Sequence, residues 1–476
     1  MTKSWANRVA CRCMVAETTV ENPKDPTISR EASVREGDHR HAQARKTIRA
    51  DLAGKAVATV VRLVSIPLSI QLLGAERYGL WLTVSSVLMW LNLSQLGLGG
   101  GLLNELGRAS AGDDRARMQR LVSTAYAGFA LIAVLVFCLI VLSAQTPLAG
   151  ILVGVGKSPD LAGEARKIFL VAGGLFAVSL VTNAIGPVCM GLQQGYVIYS
   201  SFMAGSLLSL GALTIVYWTR GSLLAFCLAM TVPTLATNLC ISAYVFYRLH
   251  PDLRPRLRWI DGNSRQVLLA TGGALAVVQL GELTALQAAS PLIANGMGLA
   301  VVPQFAVPFS ILMMAASLCQ GLATAYQAAF AQAAARSDWA WIAAAFTKSR
   351  RRGLLLITSV AVAFTVVGPW LIPVWTRGQI QSSHALLAAM GVYFALMVVS
   401  MQNSVLMVGL GEVRRKAILQ TMIAVAHVAG FLLLVPLLGL FALPVAGGLG
   451  FVVDVAVTQR VTHKYLARAR SAGSIA

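Results

Sequence analysis

Residues 121–143 read LVSTAYAGFALIAVLVFCLIVLS and contain no charged side chain. About 20 predominantly apolar residues are what a helix needs to cross the hydrocarbon core of a bilayer. Because such runs recur along most of the chain, we predict an all-α polytopic membrane protein with about twelve transmembrane helices. Spans 1 to 12 are predicted, in chain order, at 49–73, 78–103, 121–143, 167–187, 197–218, 222–247, 266–293, 298–324, 353–372, 384–409, 417–438 and 440–459.

The overall composition agrees with a chain surrounded largely by lipid. Of the 476 residues, 57% are hydrophobic and only 12% are charged, whereas about 25% of the residues of a typical soluble domain are charged. So few charges cannot cover a water-facing exterior. We therefore expect everything after residue 48 to form one membrane body.

The basic residues indicate the orientation of the chain. The formal net charge is +20, but the 39 Lys and Arg are unevenly distributed. The termini and the connections on their side hold 32 of them, the other side holds six, and Arg62 lies inside span 1. Because cytoplasmic connections carry an excess of Lys and Arg, we predict a multi-pass inner (plasma) membrane protein with both termini cytoplasmic. The charge is thereby explained without a nucleic-acid partner.

The order of spans and polar segments predicts two six-helix lobes around a central cavity. Span 6 and span 7 are separated by a basic, tryptophan-containing connection that is expected to lie along the anionic inner leaflet. The predicted organisation is a disordered basic cytoplasmic leader (1–48), an N-lobe (49–247), a cytoplasmic linker (248–265), a C-lobe (266–459) and a cytoplasmic tail (460–476).

A weak internal sequence similarity is consistent with a repeat of the six-helix unit. Residues 73–80, which lead into span 2, resemble residues 294–299, which lead into span 8. Internal repeats of this kind are common in secondary transporters.

Span 1 carries the most unusual polar pattern in the sequence. Its polar residues recur every three or four positions, which places them on one stripe of the helix, and Arg62 lies roughly 20 Å along the span, too deep to reach water easily. Two interpretations stay open: a structural arginine neutralised by Glu282, or a cation that binds an anionic headgroup in the cavity. The stripe comprises Asp51, Lys55, Thr59, Arg62, Ser65 and Ser69.

Other polar residues inside spans are candidates for the same cavity. Glu282 and Asp454 are possible ion-coupling or counter-charge residues, although an interfacial position would also explain Asp454. We group Gln95, Asn183, Gln279 and Gln304 with the stripe as a supporting polar lining that could bind sugar hydroxyls. Interhelical hydrogen bonding is the alternative for each of them.

Several apparent motifs are rejected. Residues 150–158, GILVGVGKS, resemble a phosphate-binding loop, but the glycine spacing is wrong, no strand precedes them and they lie on the outer side. The seven cysteines and six histidines are scattered, and no catalytic motif occurs. We therefore expect no cofactor, no metal, no nucleotide and no enzymatic activity.

Short stretches resemble a known family. Residues 72–81 (LLGAERYGLW), followed by 93–99 (LSQLGLG), are similar to the first hairpin of Wzx-type oligosaccharide flippases of the multidrug/oligosaccharidyl-lipid/polysaccharide exporter superfamily. Residues 327–338 and 371–375 add further similarity. Gln95 stands where the family commonly has an acidic residue.

The resemblance implies a carrier with two six-helix lobes around a lumen that is often cationic. Such a carrier would flip an undecaprenyl-pyrophosphate-linked oligosaccharide from the inner to the outer leaflet for O-antigen or exopolysaccharide biosynthesis. Its implied partners are the lipid-linked oligosaccharide, membrane lipids and a polysaccharide polymerase machinery.

Three alternatives remain at this stage. A multidrug or small-solute antiporter of the same fold would need an aromatic, acidic pocket. A membrane polysaccharide polymerase or glycosyltransferase usually has a long outer loop, whereas the longest outer connection here is 144–166. The third alternative is a non-transporting scaffold of a polysaccharide-assembly complex.

Overall fold

The computed structural model describes residues 26–472 apart from 325, 327, 328, 331, 332, 335 and 337. For residues 26–45, 48, 93–96, 111, 274–286, 322, 324, 413–414 and 461–472 it describes the backbone alone. In this part of the chain all regular structure is helical, and nine helices are long and apolar enough to cross a membrane. Two of the nine, Arg49–Leu91 and Arg415–Arg460, each contain two spans, and span 7 adds another. The prediction of about twelve helices is confirmed.

The N-lobe contains spans 1 to 6. A break at Gly74 divides its first helix into span 1 and the first part of span 2. The helices are Pro26–Leu91, Leu93–Ala111 (the rest of span 2), Arg115–Ala144 (span 3), Pro147–Val153, Ala162–Thr182 with Ile185–Gly191 (span 4), Gly195–Trp218 (span 5) and Leu223–Tyr244 (span 6).

The C-lobe contains spans 7 to 12 in a similar order. Its helices are Gly262–Gln287 with Ala289–Met297 (span 7), Val302–Thr324 (span 8), Trp339–Trp375 (span 9), His384–Gly409 (span 10), Val413–Leu438 (span 11) and Ala442–Ala472 (span 12). Consecutive spans run antiparallel, so both termini emerge at one end of the bundle together with the arginine-rich connections. We call this end the basic face and the other end the opposite face.

The first helix begins before the predicted membrane boundary. Residues 26–48, expected to be disordered, continue span 1 as a helix from Pro26, whereas residues 1–25 lie outside the described part. The segment is rich in Ala, Arg and Glu, which are good helix formers, and extending an existing helix avoids the cost of nucleation.

Two glycines mark corresponding positions of the two lobes. Gly74, between spans 1 and 2, has φ 74° and ψ 168°, and Gly298, between spans 7 and 8, has φ 103° and ψ 160°. This backbone conformation is accessible mainly to glycine. The internal sequence similarity thus coincides with a similar hinge in each lobe.

Packing in the interior differs between the two halves of the bundle. Towards the opposite face one continuous hydrophobic cluster joins both lobes and includes Ile70 and Ile293. Towards the basic face, the described side chains form two clusters. One lies around Leu102 and joins the N-lobe to Leu268 of span 7, and the other lies in the C-lobe around Ile342. The lobes therefore share a continuous core near the opposite face, whereas towards the basic face span 7 packs with the N-lobe, apart from the cluster around Ile342.

The opposite face is closed by close contacts between the lobes. A Cβ atom at Gly79 would lie 1.9 Å from the carbonyl oxygen of Leu299, so glycine permits the backbones to touch there. The Asn295 side chain donates a hydrogen bond of 2.7 Å to the carbonyl oxygen of Ile151. These contacts join the start of span 2 and the connection after span 3 to the end of span 7 and the start of span 8.

The rejected phosphate-loop segment contributes to the same closure. Within residues 150–158, Gly154 ends a short helix in the left-handed conformation, the Lys157 ammonium donates to the carbonyl oxygen of Gly296 and the Ser158 hydroxyl donates to Glu76. The glycine and lysine of this segment thus serve contacts within the chain.

Span 7 packs closely against span 2 towards the basic face. A Cβ atom at Gly272 of span 7 would lie 1.5 Å from the carbonyl oxygen of Gly97 in span 2, and one at Gly101 would lie 2.3 Å from the carbonyl oxygen of Leu268. Glycine-lined interfaces let membrane helices approach closely. The glycine-rich run 97–101 therefore serves to pack span 2 against span 7.

Candidate functional site: the cleft between the lobes

Span 1 and span 8 are neighbours at the junction of the two lobes, and we call the space beside their basic-face halves the cleft. None of residues 49–65, all of which the structure describes, is buried. On span 8, Ser317, Leu318, Gln320 and Gly321 are likewise exposed. These side chains are therefore not covered by other described parts of the protein.

The basic end of the polar stripe is an ion pair. The Lys55 ammonium lies 2.8 Å from a carboxylate oxygen of Asp51, one turn away. The same ammonium lies 4.0 Å from the Cβ position of Gly321, so Lys55 reaches across towards span 8. Since Asp51 neutralises part of its charge, Lys55 is a weaker anion site than the sequence alone indicated.

Arg62 differs from Lys55 in its surroundings. It is exposed, and among the residues whose side chains the structure describes no carboxylate lies within ion-pair distance of it. The hydroxyl of Tyr78, a buried residue at the start of span 2, lies within electrostatic range of the guanidinium. Arg62 thus presents a cation about midway along span 1, where its fork of donors can bind two oxygens of a phosphate.

The hydroxyl groups of the stripe are largely satisfied by their own helix. Ser65 donates to the carbonyl oxygen of Arg62 at 3.2 Å, and Ser69, which is buried, donates to that of Ser65 at 2.6 Å. Thr59 is half-buried. The hydroxyl groups of Ser65 and Ser69 therefore have less free hydrogen-bonding capacity than the charged residues of the stripe.

The predicted supporting residues do not all gather here. The Asn183 side-chain oxygen accepts a hydrogen bond of 2.7 Å from Asn238, a link between spans 4 and 6 inside the N-lobe. Gln304 is half-buried on span 8 near its opposite-face end. The side chains of Gln95, Gln279 and Glu282 lie outside the described residues, so the proposed Arg62–Glu282 pair does too.

Asp454 lies in a separate polar network inside the C-lobe. Its carboxylate oxygens are 2.7 and 2.9 Å from the Lys416 ammonium, and Ser400 donates to it. Asp454 is 0% and Lys416 is 4% exposed. The network joins spans 10, 11 and 12, and Lys416 is the partner that sequence analysis missed because it seemed to belong to the basic connection before span 11.

A second buried carboxylate, at the end of span 2, has the interhelical role that sequence analysis offers for polar residues inside spans. Glu105, which is 2% exposed, accepts from Arg108 at 2.9 Å, from Arg117 at 3.0 Å and from the Thr271 hydroxyl at 3.2 Å. It ties the basic ends of spans 2, 3 and 7 together. An acidic residue at the end of a span, before a basic connection, is the sequence signal that could have indicated it.

Three smaller cavities lie away from the cleft. One of about 550 Å³ opens between span 3 and the linker on the basic face, one of about 780 Å³ follows residues 340–355, and one of about 270 Å³ lies near Pro147 on the opposite face. Neither Lys55 nor Arg62 lines any of these three.

Comparisons with known proteins show which solved structures share this fold. No protein-family model matches the chain, and no curated protein matches it. It superimposes on a multidrug resistance MATE family transporter of the MOP superfamily in an inward-facing conformation, with a TM-score of 0.74 and 16% identity over 88% of this chain and 96% of that one. The chain has the MOP transporter fold.

Two further MOP structures superimpose less well. An outward-facing conformation of a multidrug resistance MATE transporter gives a TM-score of 0.64 at 16% identity over 89% of this chain and 96% of that one. A MOP superfamily transporter from Pyrococcus furiosus gives 0.66 at 17% identity over 90% and 96%. The chain thus superimposes better on the inward-facing structure than on the outward-facing one.

Proposed function

We propose that this protein is a lipid-linked oligosaccharide flippase. It moves an undecaprenyl-pyrophosphate-linked glycan from the inner to the outer leaflet by alternating access, for O-antigen or exopolysaccharide biosynthesis. In this proposal the basic face is cytoplasmic, in accord with the excess of Lys and Arg there, and the protein moves its substrate without changing it chemically.

The observation that carries the proposal is the environment of Arg62. An exposed guanidinium in the middle of a span, with no carboxylate near it among the described side chains, is costly in hydrocarbon and needs water or an anion. A pyrophosphate supplies that anion and receives two donors at once. The cleft between spans 1 and 8 leaves a path along which the lipid tail can stay in the bilayer while the headgroup enters.

The asymmetry of the packing supports the alternating-access part. The closed opposite face and the separate clusters of the basic half correspond to a state that loads from the basic face. The two glycine hinges, Gly74 and Gly298, lie beside the contacts that must open for release. Ligand binding shifts such an equilibrium only by its difference in affinity for the two states.

A multidrug antiporter is the second candidate, because the first two MOP structures are named as multidrug resistance transporters. The polarity of the cleft is the distinguishing feature. For the Pyrococcus furiosus transporter, reverse polarity of the binding pocket is described as suggesting a different function. A cationic stripe likewise favours an anionic substrate over the organic cations that an acidic pocket would bind.

The test is outward movement of a fluorescent lipid-linked oligosaccharide in proteoliposomes. We expect Arg62→Ala to lower the rate about tenfold or more, since charge-assisted hydrogen bonds contribute about 1.5–3 kcal/mol, and Arg62→Lys to retain part of it. Arg336→Ala removes an exposed arginine elsewhere on the basic face and should leave the rate unchanged. Equal transport by wild type and Arg62→Ala would refute the headgroup site. Uptake of cationic dyes without glycan movement would favour the antiporter.

A further inference from the structure

A basic cavity outside the cleft lies where the linker meets the base of span 3. Its volume is about 550 Å³, within the range of roughly 300–1,000 Å³ typical of small-molecule sites. Three arginines line it: Arg117 and Arg120 from the start of span 3 and Arg258 from the linker. Trp259, Asp261 and Ser264 complete the wall on the other side.

The charges around this cavity are not balanced by its own carboxylate. Asp261 accepts hydrogen bonds from the backbone of Asn263 at 3.3 Å and from the backbone and hydroxyl of Ser264 at 3.0 and 2.9 Å. These bonds, those from Ser264 above all, cap span 7 and keep the pKa of Asp261 below its ordinary value, and the charge of Arg120 adds to this effect. One carboxylate thus faces three arginines at this cavity. The carboxylate is thus occupied by the helix terminus.

The arginines keep free donors. Arg117 uses one nitrogen on Glu105. Within the described part of the chain, no carboxylate lies in salt-bridge distance of Arg120 or Arg258. Guanidinium groups converging on one cavity without enough anions favour a phosphate-bearing ligand.

The rim of the cavity indicates that the ligand comes from the membrane. Leu257 is 85% exposed and Ile260 is 46% exposed, on a turn that alternates arginine with apolar residues. Such side chains are costly in water but stable among acyl chains, and tryptophan prefers the headgroup level. We therefore expect the turn to rest in the bilayer surface, with the arginines at the depth of lipid phosphates.

We propose that this cavity binds the headgroup of an anionic phospholipid. The phosphate lies among Arg117, Arg120 and Arg258, and the acyl chains run past Leu257 and Ile260 into the bilayer. The site is separate from the cleft and does not depend on which substrate the protein carries.

The position of the cavity gives the bound lipid a conformational role. The linker is fixed to span 3 by hydrogen bonds from the backbone of Arg256 to the Ser123 hydroxyl (3.2 Å) and from that of Asp261 to the Thr124 hydroxyl (3.1 Å). A headgroup held by span 3 and the linker adds a further link between the N-lobe and the start of span 7. Binding thus stabilises the arrangement in which these two elements are in contact.

The experiment measures lipid binding to the full-length protein in non-ionic detergent, by native mass spectrometry and by thermal unfolding. Phosphatidylglycerol should be retained and should raise Tm, whereas phosphatidylcholine should do neither. R120Q/R258Q should weaken phosphatidylglycerol binding about tenfold or more, since it removes at least one charge-assisted hydrogen bond. R336Q/R460Q removes the same charge from exposed positions on the basic face and should bind normally.

Three results would overturn the proposal. Equal losses in both double variants would mean diffuse attraction to the basic face. Unchanged binding by R120Q/R258Q would mean that the lipid binds elsewhere. Displacement of the lipid by inorganic phosphate or glycerol phosphate would assign the cavity to a soluble anion. Should R120Q/R258Q fail to fold, R258Q alone, on the exposed linker, carries the test. Arg62→Ala should retain phosphatidylglycerol, which separates this site from the proposed transport function.

Discussion

The Lys416 ammonium lies 2.7 and 2.9 Å from the two carboxylate oxygens of Asp454, and both side chains are buried between spans 11 and 12. A buried pair of this kind compensates desolvation only while both partners are present. It fixes how span 12 packs against spans 10 and 11.

Breaking the pair should destabilise the C-lobe more than replacing it. Asp454→Asn or Lys416→Met alone should cost about 3 kcal/mol or more, because the remaining charge stays buried, whereas K416M/D454L should recover most of that loss. Thermal unfolding of the purified variants measures this. Arg415→Met, at the exposed neighbouring position, is the control, and additive losses in the double variant would contradict the coupling.

The contact between spans 2 and 7 should be sensitive to one methyl group. Gly272→Ala places a Cβ 1.5 Å from the carbonyl oxygen of Gly97, so the helices must separate, at a cost of about 1–3 kcal/mol. Gly273→Ala is a matched control, because nothing lies within 4 Å of its Cβ position. Thermal unfolding should distinguish the two variants, and equal Tm values would show that the helices are not in close contact.

The closure of the opposite face should depend on Gly79. Gly79→Ala collides with the carbonyl oxygen of Leu299 and should shift the population towards states that are open at that face. Spin labels are attached at Ile151→Cys and Gln379→Cys in a background without native cysteines. Double electron–electron resonance should then report a longer distance between the labels in Gly79→Ala than in the protein with Gly79. Gly150→Ala, in open space, should leave the distribution as in wild type. An unchanged distribution in Gly79→Ala would remove this contact from the gate.

Protonation of His250 in the linker should lower the stability of the protein in mild acid. Partial burial holds the pKa of His250 below its ordinary value. The negative charge of Asp252 raises this pKa, whereas the positive charge of Arg115 lowers it further. The imidazole Nε2 lies 3.1 Å from the side-chain nitrogen of Gln194. Since the unfolded chain binds the proton more readily, the contribution of this group is present above its unfolded pKa, near 6.5, and is lost as pH falls. Wild-type Tm should therefore drop more than that of His250→Gln between about pH 7.5 and 5.5. Parallel pH profiles would contradict this assignment.

Much of the fold was predictable because hydrocarbon imposes strict rules on sequence. A helix that crosses the bilayer must satisfy its backbone internally and present apolar side chains over about 20 residues. Residues 121–143 and the other spans carry this pattern directly, and the distribution of Lys and Arg fixes their relative directions. The similarity between the segments around Gly74 and Gly298 was also visible in the sequence, because the positive φ at both positions favours glycine.

The grouping of polar residues was less predictable, because it depends on which spans are neighbours. Periodicity placed Asp51, Lys55 and Arg62 on one stripe. The pair of Asp51 and Lys55 follows from their spacing of four residues on one helix, whereas only the structure shows that no carboxylate of a described side chain lies within ion-pair distance of Arg62. Asn183 matched the stripe in type and yet bonds across the N-lobe to Asn238.

The sequence by itself determined a membrane body of about twelve helices, their alternation and a polar stripe on the first of them. Tertiary structure alone decided that Lys416 meets Asp454, that Gly97 touches Gly272 and that one hydrophobic core joins both lobes near the opposite face. The reason is physical: apolarity and helix period act within one span, whereas ion pairs and backbone contacts form between residues far apart in the chain.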